Sequence, residues 1–291
     1  MTVSAASASL APPAGPPALL RLRDETFDPA QPAAYNLYLT AGPAGIRLAV
    51  LDVARHKMVA VEDYAHAAAH LPALAAQHDL LGQPGWNAVR LAVTGRAFTL
   101  LPAPLFRAGD ETAALRLHHR LAAAEMAGAQ AHPNLDLVNV FAAPAAVADW
   151  LTATHGLGAR LVHHTSALLA GLVHQRGPNA PRRLYLNLGQ QELTLVVLGT
   201  QLEFCNVFAF AAPEDVVYYT ILVMQELGLD PDQDEVTVWG ELTHDSALFT
   251  ALRTYLRRVR FGNRPFDLQY SYRLNEVFEY RFFELLSLHF V

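Results

Sequence analysis

Residues Tyr35 to Asp52 read YNLYLTAGPAGIRLAVLD, and residues Leu184 to Leu198 read LYLNLGQQELTLVVL. Each is an apolar, β-branched-rich run, a short Gly-containing turn and a second apolar run, the pattern of a hairpin with both faces covered. A third strand follows each, at Met58–Tyr64 and Leu202–Phe210. A three-strand unit that occurs twice predicts a duplicated lobe with a cleft between the copies. The turns at Thr40–Gly45 and Asn187–Glu192 then face that cleft.

Outward from the first hairpin, the text predicts a helix over Pro72–Leu81 and strands at Ala88–Thr94 and Phe98–Leu101. A helix over Glu111–Ala127, a strand over Asp136–Phe141 and a helix over Ala145–Thr154 follow. A strand at Ala159–His163 and a helix at Ser166–His174, capped by Ser166 or Thr165, close the first half. The second half repeats the order. Strands at Arg183–Leu188, Leu193–Leu198 and Leu202–Phe210 lead to a helix at Pro213–Leu227, where Pro, Glu and Asp suit the first turn. Then come a strand at Val236–Trp239, a helix at Ser246–Leu256, a strand at Arg258–Phe261 and an amphipathic helix over Asn275–His289. The segment from about 98 to 134 has no counterpart in the second half and reads as an insertion. The division expected is a flexible Ala/Pro-rich tail at 1–33, a first lobe at 34–177 and a second at 178–291 that includes the C-terminal helix.

With 291 residues, 52% hydrophobic and 16% charged, the chain has material for two cores and little room for disorder. A net charge of −6 argues against a generic nucleic-acid surface. The start, MTVSAASASLAPPAGPPALL, lacks a charged n-region before an apolar core and does not read as a signal peptide. No apolar run reaches about 18 residues, so no membrane span is expected, and the cytoplasm is the default address. Cys205 is the single cysteine, which excludes internal disulfides and CxxC sites, and its apolar setting predicts a buried, inert thiol. Lys57 is the single lysine, and no Gly-x-x-x-x-Gly-Lys or Gly-x-Ser-x-Gly motif occurs. Among thirteen histidines, His66 and His70 have i, i+4 spacing but no adjacent Glu, so no metal site is expected there. Tyr218 and Tyr219, with Phe204, Phe208 and Phe210, read as core. Arg253, Arg257, Arg258, Arg260 and Arg264 form a basic strip, either a solvated face or a strip contacting phosphate or a partner.

The order of elements resembles the actin / sugar kinase / heat-shock ATPase superfamily, whose α/β fold pairs two ribonuclease-H-like lobes, a duplicated βββαβαβα, around a central cleft. Within it, FTLLPAPLF at 98–106, LYLNLGQQELTLVVLGTQLEFCNVF at 184–208, PEDVVYYTILVMQELGLDP at 213–231, VWGEL at 238–242 and the terminal FFELLSLHF make the chain similar to the bacterial DUF3822 family. The likeness covers nearly everything after the Pro-rich start.

The resemblance implies a nucleotide cleft built from Thr40, Gly42, Asn187, Gly189, Gly240 and Glu241. Active relatives carry Asp-x-Gly at both hairpin turns. Here the first reads Thr40-Ala41-Gly42 and the second Asn187-Leu188-Gly189. A hard divalent cation and an attacking water need carboxylate oxygens, which Thr and Asn lack. Each lost carboxylate removes a few kcal/mol of metal and transition-state stabilisation. Pro43 deletes one backbone N–H from a phosphate cradle. Gln190, Gln191 and Glu192 replace a Gly-Gly-Thr run, and Gly240 is followed by Glu241 where relatives have a second Gly.

The expected function is therefore a non-catalytic or weakly nucleotide-binding binding or scaffold module, with a protein partner or a homodimer. No catalytic residue, metal ligand or cofactor is assigned, ATP and Mg²⁺ being admissible but not efficiently hydrolysed. The alternatives are an ATP-binding switch with replacement acids from Glu192, Asp215 or Glu241, and a regulator associated with RNA-modifying machinery, supported by the basic strip alone.

Overall fold

The computed structural model describes residues 17–177 and 180–291. The first lobe runs β1 (Leu20–Arg23), β2 (Tyr35–Ala41), β3 (Ile46–Asp52), β4 (Lys57–Tyr64), α1 (Leu71–Ala75), β5 (Ala88–Val93), β6 (Phe98–Pro102), α2 (Glu111–Leu115), β7 (Glu125–His132), β8 (Leu137–Pro144), α3 (Ala145–His155), β9 (Arg160–His163) and α4 (His164–Gln175). The second runs β10 (Arg183–Leu188), β11 (Glu192–Leu198), β12 (Leu202–Ala209), α5 (Pro213–Glu226), β13 (Val236–Gly240), α6 (Ala247–Tyr255) and β14 (Val259–Phe261). A last stretch holds β15 (Gln269–Tyr270), a 3₁₀ turn at Tyr272–Glu276 and α7 (Phe283–Ser287).

Both main sheets carry the expected order. In the first, β4-β3-β2 form an antiparallel meander and β5 and β9 continue parallel to β2. In the second, β12-β11-β10 form the meander and β13 and β14 continue parallel. Period-2 alternation explains how the central strands are covered on both faces. On β2, Tyr35, Leu37, Leu39 and Ala41 join a core with α1 and α3, while Tyr38 points to the C-terminal segment. On β10, Leu184, Leu186 and Leu188 pack on α5 and α6, while Tyr185 faces α4 and α7. Thus α4 and α7 form a middle layer shared by both sheets. Their approach is so close that a Cβ at Gly171 would lie 2.1 Å from Ser287 Oγ.

Five expectations are corrected. Residues Leu20–Arg23 of the supposed tail form an edge strand antiparallel to β4, because Leu22 reaches the core and Arg23 reaches Glu62 and Asp79. Residues 1–16 of that tail, and the lobe boundary at 178, lie outside the described residues. The C-terminal segment does not stay with the second lobe: β15 pairs parallel with β4, and Leu268, Leu274, Phe282, Leu285 and Leu286 pack on the first sheet. Nor is it one helix, since only Phe283–Ser287 is α-helical, flanked by 3₁₀ turns. The helix expected over Glu111–Ala127 ends at Leu115, and Glu125–His132 is instead a strand. Ala-rich text favours helix locally, but β7 gains a complete antiparallel partner in β8, and tertiary pairing overrides propensity. β8, with β6 and β7, makes a separate three-stranded sheet, so the insertion extends from Phe98 to Pro144.

Smaller differences follow from the same packing. The helix at 164 is capped by His163, whose ring accepts from the Thr165 N–H. Tyr219 stacks on Phe208 at 4.4 Å, but Tyr218 points outward. Cys205, on β12, is partly exposed as a residue, but burial pushes its thiol up to about 12, in keeping with an inert side chain. No helix among the described residues is long and apolar enough to cross a membrane.

Candidate functional site

The β2–β3 and β10–β11 turns face one another across a cleft of about 330 Å³. Thr40, Gly189 and Glu192 line it, joined by Arg47 and by two groups from the middle layer, His164 and Glu284. Both turns close on themselves: Gly42 N–H donates to Gly45 O at 3.0 Å, and Gly189 N–H to Glu192 O at 2.8 Å. These two amides are therefore not presented to a ligand. Gly42 is held tightly, with an added Cβ falling 1.7 Å from Thr94 Oγ1.

Strand alternation puts Asn187 on the inner face of β10, where it meets α7. Its side-chain amide donates to Glu284 Oε2 at 2.7 Å. The same oxygen lies 3.1 Å from His164 Nδ1, and His164 Nε2 lies 3.1 Å from the Gly95 carbonyl. An ionised carboxylate and a carbonyl can only accept, so both ring nitrogens donate and the ring is an imidazolium. Burial pulls the His164 pKa down, but the charge and hydrogen bond of Glu284, with the Gly95 carbonyl, carry it above the usual value. Burial likewise pushes Glu284 up, and His164, Arg47 and Asn187 together hold it below the carboxylate range. A buried ion pair thus stands behind Asn187 at the end of β10. Neighbouring His163 is the opposite case: burial and the His164 charge drive it well below its ordinary value, and it accepts as the helix cap.

Gly240 and Glu241 line a different, adjoining cavity of about 370 Å³, with Tyr280 and Arg281. Gly240 is required by backbone geometry: its φ is +112°, and a Cβ would lie 2.0 Å from Leu188 O. Glu241 is tied to the first lobe, since Arg47 Nη2 donates to it at 2.6 Å. Arg47 also reaches Asp63 at 3.3 Å, and Arg281 joins Asp63 at 3.2 Å to Glu241 at 3.4 Å. Four charged groups from β3, β4, the β13 end and the C-terminal segment thus form a closed lattice across the lobes.

Of the six sequence-derived site residues, Thr40 and Gly189 line the cleft, Gly42 and Asn187 stand beside it, and Gly240 and Glu241 lie across the Arg47 bridge. Among the replacement acids, Glu192 is in the cleft. Asp215 is not: it accepts from the Ala211 and Ala212 N–H groups at the start of α5, which also lowers its pKa. Sequence reading missed Glu284, His164 and Arg47. The one available signal was Glu284 itself, the sole acid in the mostly apolar FFELLSLHF. Among the described residues, no three His, Cys, Asp or Glu side chains converge as a metal site.

Comparison places this geometry in context. A Bacteroides thetaiotaomicron protein with an actin-like ATPase fold and unknown function superposes with a TM-score of 0.72, at 16% identity over 81% of this chain and 94% of that one. The PilM–PilN type IV pilus biogenesis complex contains a chain that superposes with a TM-score of 0.54, at 15% identity over 88% of this chain and 98% of that one. At such identities the likeness establishes the fold, which is actin-like. No curated protein sequence matches the chain. The DUF3822 family model, "Protein of unknown function", matches residues 24–259, and the chain belongs to that family.

Proposed function

We propose that the chain is a non-catalytic or weakly nucleotide-binding actin-like protein that works as a cytoplasmic binding or scaffold module around a degenerate ATP site. One observation carries this reading: the charged groups flanking the two turns are bonded to one another across the lobes. Arg47 and Arg281 are held by Asp63 and Glu241, and His164 is held by Glu284. A nucleotide machine keeps such groups for phosphate, metal and water and lets the lobes move around them. The present arrangement instead ties the lobes together and suits a rigid platform. The pilus-complex neighbour occurs together with a second protein, which supports a protein partner or a homodimer for this chain too.

Thermal unfolding with ATP or ADP and Mg²⁺ tests the proposal. A nucleotide at a hundredfold excess over its dissociation constant stabilises by about 2.7 kcal/mol. The expected result at millimolar nucleotide is little or no shift, and a full shift defeats the scaffold-only reading. A second reading, an ATP-binding switch with unusual metal ligands, is favoured by one feature: two carboxylates, Glu192 and Glu284, line the cleft. The RNA-associated reading still rests on the basic strip alone, in which Arg257 pairs with Asp232 and Arg260 with Glu235.

A further inference from the structure

At the opposite end of β10 from the Gly189 turn lies a recess of about 280 Å³. Its wall carries four guanidinium groups, Arg176, Arg183, Arg260 and Arg264, and no carboxylate. In a chain with a net charge of −6 this is a local reversal of sign. The arginines come from the end of α4, from β10, from β14 and from the stretch after it, so the fold, not a run of sequence, gathers them. Register explains two of them: Tyr185 pairs with Thr237, and Thr237 with Arg260, which puts all three on the face turned away from α5 and α6. Arg183, two residues before Tyr185, shares that face.

The compensation is incomplete. One acid, Glu235, meets both Arg183, at 3.1 Å, and Arg260. Arg176 donates to the carbonyls of Gly199 and Ala180, and Arg264 to those of Leu274 and Val277, with Glu279 acting on Arg264 at longer range. Carbonyls fix the direction of a guanidinium without cancelling its charge. A second observation also points to a ligand. Thr237 lines the recess and is 3% exposed, yet its Oγ1 has no hydrogen-bond partner, and the Nε groups of Arg176 and Arg183 are buried and unpartnered as well. Unmade bonds of this kind are costly when buried, and a bound group that accepts or donates there would complete them.

We propose that this recess is a binding site for a compact phosphoryl anion of pyrophosphate size. Guanidinium forks and a hydroxyl donor converge on several oxygens at once, which a phosphoryl group offers and a monocarboxylate does not. The volume suits a small ligand rather than a whole nucleotide. This site is separate from the cleft between the turns and does not depend on the function proposed for it.

Calorimetric titration of the full chain with pyrophosphate and with inorganic phosphate, in chloride buffer, tests the assignment. Binding is expected with pyrophosphate the tighter ligand, and Arg183→Gln should weaken it about tenfold. If Arg183→Gln fails to fold, the half-exposed Arg260→Gln takes its place with the same expectation. Thr237→Val gives a paired readout. It should weaken binding while raising the melting temperature of the unliganded protein, because it removes a buried hydroxyl with no partner. Arg96, which lines the cleft between the turns and not this recess, serves as control, and Arg96→Gln should leave binding unchanged. No heat at about 10 mM pyrophosphate overturns the proposal. So do wild-type affinity in both Arg183→Gln and Thr237→Val, loss in Arg96→Gln alone, or equal binding of acetate.

Discussion

Replacing Glu284 by Gln removes one charge from the middle layer and almost nothing else, since Gln keeps the shape and a carbonyl oxygen able to accept from Asn187 and His164. The side chains of His164 and Glu284 are 4% and 16% exposed and meet at 3.1 Å. At an effective dielectric of about 20, unit charges at that distance attract by roughly 5 kcal/mol, part of which is spent on desolvating both. Removing one charge strands the other, so Glu284→Gln should destabilise by about 2–4 kcal/mol near pH 6, or about 5–10 °C in melting temperature. The pH dependence has a fixed sign. Glu284, whose folded pKa is depressed, stabilises above its unfolded value and loses that contribution as pH falls through the folded one. His164, whose folded pKa is raised, stabilises fully below its unfolded value near 6.5 and loses that contribution as pH rises through the folded one. The difference between wild type and Glu284→Gln is therefore largest between the two unfolded values, about 4.5 and 6.5, and shrinks on the alkaline side. Differential scanning fluorimetry across pH, with NMR titration of the His164 ring, measures both. A penalty under about 1 kcal/mol at pH 6, or a wild-type His164 ring titrating at or below its ordinary value, refutes the ion-pair reasoning.

Other consequences follow from single contacts. Gly240→Ala forces a Cβ onto Leu188 O at a positive φ and should cost several kcal/mol, visible as insoluble or low-melting protein, whereas Gly158→Ala, with open space around it, should fold normally. Phe283→Ala removes a 1%-exposed ring stacked on Trp239 at 4.4 Å and should cost about 3–5 kcal/mol, with a red shift in tryptophan emission as the indole meets water. Arg47→Met with Arg281→Met removes both cations that join Asp63 to Glu241, so faster proteolysis between the lobes and a lower melting point are expected. An unchanged digestion pattern argues against the lattice as a lobe tie.

The two hairpins were legible because everything that makes them is local: apolar alternation, β-branched residues and a Gly in each turn. Strands Tyr35–Ala41 and Arg183–Leu188 fall where the pattern puts them. The segment Glu125–His132 was not legible, because its Ala and Gly residues say helix or nothing until Phe141 of β8 lies over Gly128, where a Cβ would be 2.8 Å from the ring. The C-terminal segment has a helical apolar period but serves both sheets and α4 at once, and breaks into short turns to reach them. The site divides the same way. Thr40 and Gly189 could be placed because the turns are local. Glu284 could not, since its partners lie 97 and 120 residues away and no short-range pattern records that pairing.

Glu284 also decides between the two readings of the cleft. Thr40 and Asn187, at the two hairpin turns, are both neutral, and a largely buried carboxylate that lines the cleft, Glu284, comes from α7. If that carboxylate is purely structural, its charge is consumed by His164 and Asn187. Glu284→Gln then lowers stability but leaves any nucleotide response, large or absent, as it was in the wild type. If it stands in for a lost hairpin acid together with Glu192, then Mg²⁺–ATP stabilises the wild type, nucleotide without Mg²⁺ does so less, and Glu284→Gln abolishes the difference. Because linkage adds to intrinsic stability and does not replace it, the two effects separate when each melting point is referred to the same protein without ligand. A Mg²⁺-dependent shift that survives Glu284→Gln but not Glu192→Gln would move the metal role to the turn itself, and with it the case for a working switch.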